Sequence, residues 1–504
     1  MLKLSKVINM KKIKIEVIFF LALMTFLSFG ATPAAPAPEQ ADPIKIGIFT
    51  PETAGLTLYG PWTKQGFELG MIYATGNTNQ TPDGRPYELL YYDTKGSSTD
   101  ALLALTNAIE TDNIDIIVGA TSSTVATAMA PVAESYGKLY FVTPAASSSI
   151  TEDPIFNEYV FRVARNSWHD AKAGVKFTWD TMNARSYAFI APDYSFGWAG
   201  IASMQSEIID RGGKIVATEY VPAGGFGASD ITPYLQRIAD VDAGVGVDML
   251  MIVWAGSFAE LYRDLGLVGI PTLMNVSSGV IDVFSMTYVE STLTFPDTYI
   301  NATGLAVYGY ELPNNPVNDW MVQAHIDRNV ITNAHVGKTY RVPELFTASA
   351  FGTAQFVVNA TSTIINLNAG AMICHLEGLT ITTPKGPTYM REQDHQGLAE
   401  MYIAKVVNDT RVSSETYNQL IGELVETLPA DSVAPPILTE YVPCGGIPPK
   451  TITITGEGTT FVSTQAGSTK VDTSIETTTV EFGPIVFIGF GLIALVLLTY
   501  KRRR

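Results

Sequence analysis

Residues 116–151 read IIVGATSSTVATAMAPVAESYGKLYFVTPAASSSIT, in which an apolar strand runs twice into a turn of small polar residues. The first turn, 119–124, precedes an alanine-rich segment of helical composition, and the second turn covers 144–149. In an open parallel sheet such turns lie at the carboxyl edge of the strands, where ligands bind. Free amides at the start of a following helix suit an anion. The stretch therefore predicts a carboxylate site at a sheet edge.

Helix capping is the alternative explanation for these hydroxyl side chains. Ser and Thr are preferred N-caps wherever a helix begins, so one such turn alone favours capping. Two turns of the same kind in succession shift the balance toward a binding site.

Strand and helix patterns alternate along the chain from residue 44. The predicted strands are 44–49, 87–92, 114–118, 139–141, 187–190, 214–220 and 249–253. The predicted helices are 61–74, 100–110, 125–136, 170–182, 200–211, 231–238 and 258–267. This alternation predicts an α/β protein with parallel sheets covered by helices.

The quoted segment resembles the centre of the type I periplasmic solute-binding proteins, in the branch that binds branched-chain amino acids, amides and urea. Residues 386–396, GPTYMREQDHQ, resemble the family's late GP-x-x-MR-x-x-DHQ stretch. The resemblance covers nearly all of residues 42–444. It implies two Rossmann-like lobes joined by a three-strand hinge, the Venus-flytrap arrangement. Asp394 and His395 are expected to be structural, because neighbours on an extended segment point to opposite faces.

In that family the chain crosses between the lobes three times, which places the crossings here near Arg165, Thr303 and Glu377. Lobe 1 is then expected at 43–165 and 304–376. Lobe 2 is expected at 166–303 and 377–444.

The resemblance also assigns binding residues one position at a time. Ser123 falls on the serine that hydrogen-bonds the ligand carboxylate, and Ala146 and Ser147 fall on the residues whose backbone and hydroxyl complete that site. Three aromatic residues fall on loops that would wall the ligand: Tyr59, Phe196 and Trp254.

One position departs from the family pattern. Amino-acid binders place a carboxylate on the second lobe to pair with the ligand ammonium, and this chain has Ser278 there. Asp282 or Asp193 is a possible substitute. Otherwise the ligand carries no ammonium, because a buried unpaired ammonium costs several kcal/mol.

Composition excludes several classes of function. With 504 residues, 46% of them hydrophobic, the chain can bury two ordinary domains. Its net charge of −17 argues against nucleic acid or an anionic membrane surface as partner. The five histidines and two cysteines form no metal-binding motif, and no nucleotide-binding or nucleophile motif is present. We therefore expect neither an enzyme nor a cofactor.

Both ends of the chain predict export and anchoring. Lys11, Lys12 and Lys14 precede an apolar run at 17–29, which predicts a signal peptide over 1–31, with Met10 as an alternative start. A Pro/Ala linker follows at 32–42. Residues 482–500 are uncharged and long enough to span a bilayer, and four cations at 501–504 form a cytoplasmic tail.

Residues 445–481, between body and anchor, are rich in Thr, Ser and Gly, the composition of a stalk that cannot fold alone. Body, stalk and anchor together resemble archaeal surface-anchored binding proteins. N-glycosylation triplets at five asparagines fit a glycosylated surface protein: Asn79, Asn275, Asn301, Asn359 and Asn408.

Cys374 and Cys444 are the two cysteines, and we expect them to form a disulfide, because paired thiols normally oxidise outside the cell. Taken together, the sequence predicts a monomeric, extracellular substrate-binding protein that passes a small polar solute to an ABC-type permease. A sensory ectodomain acting through a partner membrane protein is the alternative.

Overall fold

The computed structural model describes residues 42–57, 59–222, 231–255, 258–270, 275–278, 303–328, 331–333, 338–340, 343–408, 420–444, 450–456 and 459–465. Residues up to Gly446 form one compact unit and those from Ile447 a second. The predicted signal peptide, the predicted membrane span and the tail lie outside the described residues. Within the described ranges, no helix combines the length and apolarity needed to cross a membrane.

The first sheet is parallel and has the strand order β2-β1-β3-β4-β5. Its strands are β1 (Ile44–Thr50), β2 (Tyr87–Asp93), β3 (Ile116–Gly119), β4 (Tyr140–Val142) and β5 (Val160–Arg162). The helices α1 (Gly60–Ala74), α2 (Ser98–Glu110) and α3 (Ser123–Ser135) alternate with them. Because helices cover both faces, strands such as β3 are apolar throughout rather than alternating.

The two faces of this sheet bury different sets of side chains. Ile46, Ile48 and Phe141 pack with α1, and Phe49 and Ile117 pack with α2 and α3. Two later helices join the first face: α9 (Leu345–Thr363) and α10 (Ala369–Leu376).

A glycine makes the contact between α1 and α9 possible. A Cβ atom at Gly66 would lie 2.3 Å from the carbonyl oxygen of Thr347. The two helices therefore pack backbone against backbone, and a later segment of the chain is held on the first sheet.

The second sheet is also parallel, with the order β7-β6-β8-β9. Its strands are β6 (Ser186–Pro192), β7 (Lys214–Val221), β8 (Met249–Ile252) and β9 (Asn275–Ser278). The accompanying helices are α4 (Ser167–Asp180), α5 (Ser195–Asp210), α6 (Thr232–Val245) and α7 (Phe258–Val268). Residues 163–166 connect the last strand of the first sheet to α4 of the second.

The remaining described elements are short sheets and one helix. Antiparallel pairing gives the order β10-β16-β17, the pair β11-β12 and the order β13-β14-β15. These elements are β10 (Thr303–Ala306), α8 (Pro316–Arg328), β11 (Ile331–Asn333), β12 (Lys338–Tyr340), β13 (Thr380–Thr383), β14 (Gly386–Met390), β15 (Gly397–Leu398), β16 (Met401–Asn408) and β17 (Leu420–Leu428).

Every strand and helix predicted between residues 44 and 267 overlaps an observed one, which confirms the α/β class with parallel sheets. The predicted stalk, 445–481, contains two strands that the sequence analysis does not predict. β18 (Lys450–Gly456) and β19 (Thr459–Gln465) form an antiparallel hairpin there. In β18 threonine alternates with isoleucine, and both residue types are β-branched and favour strands.

Asp394 and His395 have structural partners, as expected, although they do not lie on an extended strand. The segment is a turn, with His395 at φ +49°, rather than an extended strand. Arg391 donates to Asp394, and His395 Nε2 lies 3.1 Å from Glu377 Oε1. All four of these side chains are buried.

The predicted disulfide is present, and it joins Cys374 in α10 to Cys444 near the end of the first compact unit. Glu377 accepts a hydrogen bond from the Cys444 backbone amide at 2.7 Å. The last described stretch of the body is therefore held against α10.

Candidate functional site

A cleft with about 430 Å³ of empty space, partly open to solvent, is lined by loops that follow the carboxyl ends of strands in both sheets. β1, β3, β4 and β5 contribute from the first sheet, and β6 and β8 contribute from the second. The lining residues are Leu56, Tyr59, Thr121, Ser123, Pro144, Ala146, Arg165, Tyr194, Phe196, Ala255, Leu345 and Phe346. Four predicted site residues, Tyr59, Ser123, Ala146 and Phe196, thus meet in one place.

Ser123 joins the two serine-rich turns. Its Oγ accepts hydrogen bonds from the backbone amides of Ala146, at 3.2 Å, and Ser147, at 3.1 Å. A hydroxyl whose oxygen accepts two hydrogen bonds still has its own proton to donate. The Ser123 hydroxyl is therefore set as a donor in the wall of the cleft.

Capping does not account for these serines in the structure. Ser122 is the N-cap of α3 and makes no side-chain cap hydrogen bond. Ser147 precedes the short helical turn Ser148–Thr151 and makes none either.

The backbone amide of Ser147, and not its hydroxyl, supports the site, because the amide donates a hydrogen bond to Ser123 Oγ. The Ser147 Oγ lies 2.9 Å from Ser149 Oγ, and the residue is only 1% exposed. Ser147 is not among the cleft-lining residues. Its carbonyl oxygen accepts a hydrogen bond from the buried Arg162 side chain, which fixes the turn.

Thr121 is a site residue that sequence reasoning missed. It lines the cleft, it is 93% buried, and its hydroxyl has no hydrogen-bond partner in the described structure. The signal was present in the opening segment, because Thr121 lies in the first polar turn. The family resemblance points to Ser123 and gives no role to Thr121.

Arg165 is the second missed residue, since the sequence marked it only as a crossing between lobes. It lines the cleft and is 9% exposed. Its Nε lies 3.4 Å from Oδ2 of Asp170, which is fully buried in α4. Burial raises the pKa of Asp170 to about 7, against the opposing effect of Arg165. Arg165 therefore brings a cation to the cleft, next to the buried carboxylate of Asp170.

Aromatic rings form two further parts of the wall. Tyr59 stacks on Phe346 with ring centroids 4.3 Å apart and planes 12° from parallel. The ring centroids of Tyr194 and Phe196, which follow β6 of the second sheet, lie 5.9 Å apart. Trp254 is 94% buried in the core of the second sheet, and its neighbour Ala255 lines the cleft instead.

The position expected to hold a carboxylate for an ammonium is described only in its backbone. Ser278 ends β9 and pairs with Ile252 of β8. Asp193 is exposed and accepts a hydrogen bond from Trp198 Nε1 at 2.8 Å, away from the cleft lining. Asp282 lies outside the described residues. Among the described residues that line the cleft, none is acidic.

A second cavity, with about 400 Å³ of empty space, lies beyond Arg165. Arg165 lines both cavities, and the second also contains His169, Lys385, Thr383 and Thr388. His169 Nδ1 accepts a hydrogen bond from the Asn166 amide, whereas its buried Nε2 has no partner in the described structure. Burial, together with nearby cations such as Lys385, holds the pKa of His169 well below its ordinary value.

Comparison with known proteins gives one family for most of this chain. The model of the periplasmic binding protein family matches residues 43–411. A Leu/Ile/Val-binding protein homologue from Brucella abortus is 25% identical over 417 residues, covering 78% of this chain and 92% of that protein.

Solved structures share the architecture. An ABC-type branched-chain amino acid transporter protein from Rhodopseudomonas palustris is 28% identical with a TM-score of 0.62, covering 79% of this chain and all of that one. A solute-binding protein from R. palustris in complex with 4-hydroxybenzoate has a TM-score of 0.64 at 19% identity, covering 77% and 98%. The latter likeness shows the fold alone.

Proposed function

Because this chain belongs to the periplasmic binding protein family, we propose that it captures a small carboxylate-bearing solute between its two sheets and delivers it to an ABC-type permease. Proteins of this family bind solutes and are not enzymes, so the chain is a binding protein. The observation that carries the proposal is the cleft, whose wall combines Ser123 and Thr121 from the first sheet with Phe196 from the second.

Several finer statements belong to the proposal. The lobes are 43–165 with 304–376, and 166–303 with 377–444, and they close on the solute by hinge motion. Tyr59, Ser123, Ala146 and Phe196 contact the solute directly, and the Ser147 amide holds Ser123 in place. Trp254 and Ser278, which the family resemblance assigns to the site, are further candidates for solute contact on the side of the second sheet.

Location is part of the same proposal. Residues 1–31 direct export, and 482–500 anchor the protein with its body outside the cell. Residues 445–481 link the two, and they include the hairpin of β18 and β19.

The relatives leave the solute open between two chemistries. One is named for leucine, isoleucine and valine, and one solved structure holds 4-hydroxybenzoate. Both ligand types carry a carboxylate, which suits the hydroxyl donors of the cleft.

A thermal-shift screen of the full-length protein in detergent tests the proposal. The panel contains leucine, acetamide, urea, benzoate and aliphatic carboxylates. A solute present at about a hundred times its dissociation constant should stabilise the folded protein by about 2.7 kcal/mol. If no compound stabilises the protein, or if one is chemically turned over, the proposed function is wrong. Uptake of the solute that stabilises the protein should then be measured in cells lacking the gene. Loss of uptake would support transport rather than sensing.

A further inference from the structure

Arg165 lines both cavities, so its cationic side chain borders the cleft and the second cavity. The geometry points to a solute with a carboxylate, no ammonium group and a flat apolar body, an aromatic carboxylate, with Arg165 as the specificity-determining cation. This inference rests on the proposed function and names its ligand class.

The charges around the cleft favour an anion over a zwitterion. Arg165 is the charged residue in the described lining of the cleft, and Asp170, which pairs with it at 3.4 Å, is not part of that lining. Lys385 adds a second cation to the second cavity, which Arg165 also lines. An ammonium placed in the cleft would meet the Arg165 cation and no described acidic wall residue. Burying it unpaired would cost several kcal/mol.

The neutral polar groups of the wall match a carboxylate as well. Ser123 has only its proton left to offer, because its oxygen accepts from two amides. Thr121 has a buried hydroxyl with no partner in the described structure. Ser123 begins α3 and Thr121 directly precedes its N-cap, Ser122, so both lie at the helix N-terminus, where unsatisfied backbone amides also favour negative charge.

The apolar part of the wall contains two pairs of aromatic rings. Tyr59 stacks on Phe346, and Tyr194 lies next to Phe196 after β6 of the second sheet. Aromatic rings pack well against another flat ring in offset or edge-to-face arrangements. Leucine would meet these rings with a branched chain, whereas a benzoate ring can pack against them in such an arrangement.

Calorimetry on the full-length protein in detergent at pH 7 tests the inference with three probes: benzoate, benzamide and leucine. Benzamide keeps the ring and removes the negative charge, and leucine keeps the carboxylate and adds an ammonium. We expect benzoate to bind at least tenfold more tightly than either. Because this comparison uses the unaltered protein, it does not depend on any variant folding.

Arg165→Gln tests the assigned residue. Arg165→Gln removes a charged hydrogen-bond donor, so the dissociation constant for benzoate should rise by about 10- to 150-fold. Arg237→Gln is the matched control, since Arg237 pairs with Glu219 on the exposed surface, and it should leave binding unchanged. The benzamide affinity should be the same in Arg165→Gln and in the unaltered protein, which a general loss of structure would not produce.

The outcomes separate this inference from the proposed function. If leucine binds more tightly than benzoate, the ligand class is wrong while the proposed function stands. If benzoate and benzamide bind equally, Arg165 does not select the charge, and the inference fails in the same way. If none of the three binds and the wider screen is also empty, both proposals fail.

Discussion

The hydroxyl oxygens of Thr124 and Ser195 lie 2.9 Å apart, joining the first turn of α3 to the first turn of α5. α3 follows β3 of the first sheet, and α5 follows β6 of the second. A direct hydrogen bond between these helices holds the two sheets together beside the cleft.

Thr124→Val should weaken solute binding by removing this bond while keeping the shape of the side chain. A neutral hydrogen bond contributes about 0.5–1.5 kcal/mol, which corresponds to a rise of about 2- to 13-fold in the dissociation constant. Calorimetry measures the change, and small-angle scattering of the solute-free protein should show a larger radius of gyration. Thr363→Val, at an exposed position of α9, is the control. Equal effects from both variants would exclude the Thr124–Ser195 bond as the cause.

Removing the hydroxyl of Ser123 should weaken solute binding much more than removing that of Ser147. Ser123→Ala should raise the dissociation constant for a carboxylate solute by about 10- to 150-fold, because it removes the donor in the cleft wall. Ser147→Ala should change it by less than about threefold, because the Ser147 side chain bonds Ser149 and the contributing amide remains. Calorimetry on both variants decides. A larger loss in Ser147→Ala than in Ser123→Ala would contradict the arrangement.

Affinity for benzoate should increase as the pH falls from 8 to 6. Asp170 has a pKa of about 7, raised by burial, and it faces Arg165, Arg162 and Lys385. A second anion at Arg165 raises that pKa further, so binding takes up a proton, and affinity rises by up to about tenfold per pH unit. Neighbouring His169 stays neutral over this range, because its pKa is held low.

Asp170→Asn should remove this pH dependence, because the amide cannot titrate. Calorimetry in two buffers of different ionisation enthalpy measures proton uptake directly at pH 7. Proton release on binding, or an unchanged pH profile in Asp170→Asn, would show that Asp170 is not the coupled group.

The disulfide between Cys374 and Cys444 should stabilise the body without touching the solute. The two cysteines are separated by 70 residues, and closing a loop of that length stabilises by about 4 kcal/mol in the chain-entropy model. The double variant Cys374→Ala/Cys444→Ala should therefore unfold at a clearly lower temperature and bind with unchanged affinity. An unaltered melting temperature would mean that the loop is already restricted in the unfolded chain.

The repeating pattern of strands and helices could be predicted from the sequence, whereas features that depend on contacts between distant segments could not. The α/β alternation predicted β1 to β4 and β6 to β8, because each lies in a run of apolar, aromatic or β-branched residues. β5 was not predicted, because it has only three residues and ends in Arg162. The sequence does not predict β18 and β19, because a high threonine content is typical of unfolded segments as well as of β-branched strands.

The site was predictable where one turn carried the signal and unpredictable where two distant segments meet. Ser123 and Ala146 lie in adjacent turns of one quoted stretch. Phe346 reaches Tyr59 only because α9 packs on α1, a contact between residues almost three hundred positions apart. Arg165 and Asp170 are close in sequence, but both side chains are buried only in the tertiary fold. The charge that they present to the cleft therefore could not be predicted from the sequence.

The most direct test of solute capture between the sheets is a crystal structure of residues 42–444 with the tightest-binding solute of the screen. We predict a solute carboxylate oxygen at about 2.5–3.0 Å from Ser123 Oγ, with Phe196, which follows β6 of the second sheet, in contact with the solute body. A solute bound outside the cleft, or touched by residues of only one sheet, would contradict the account.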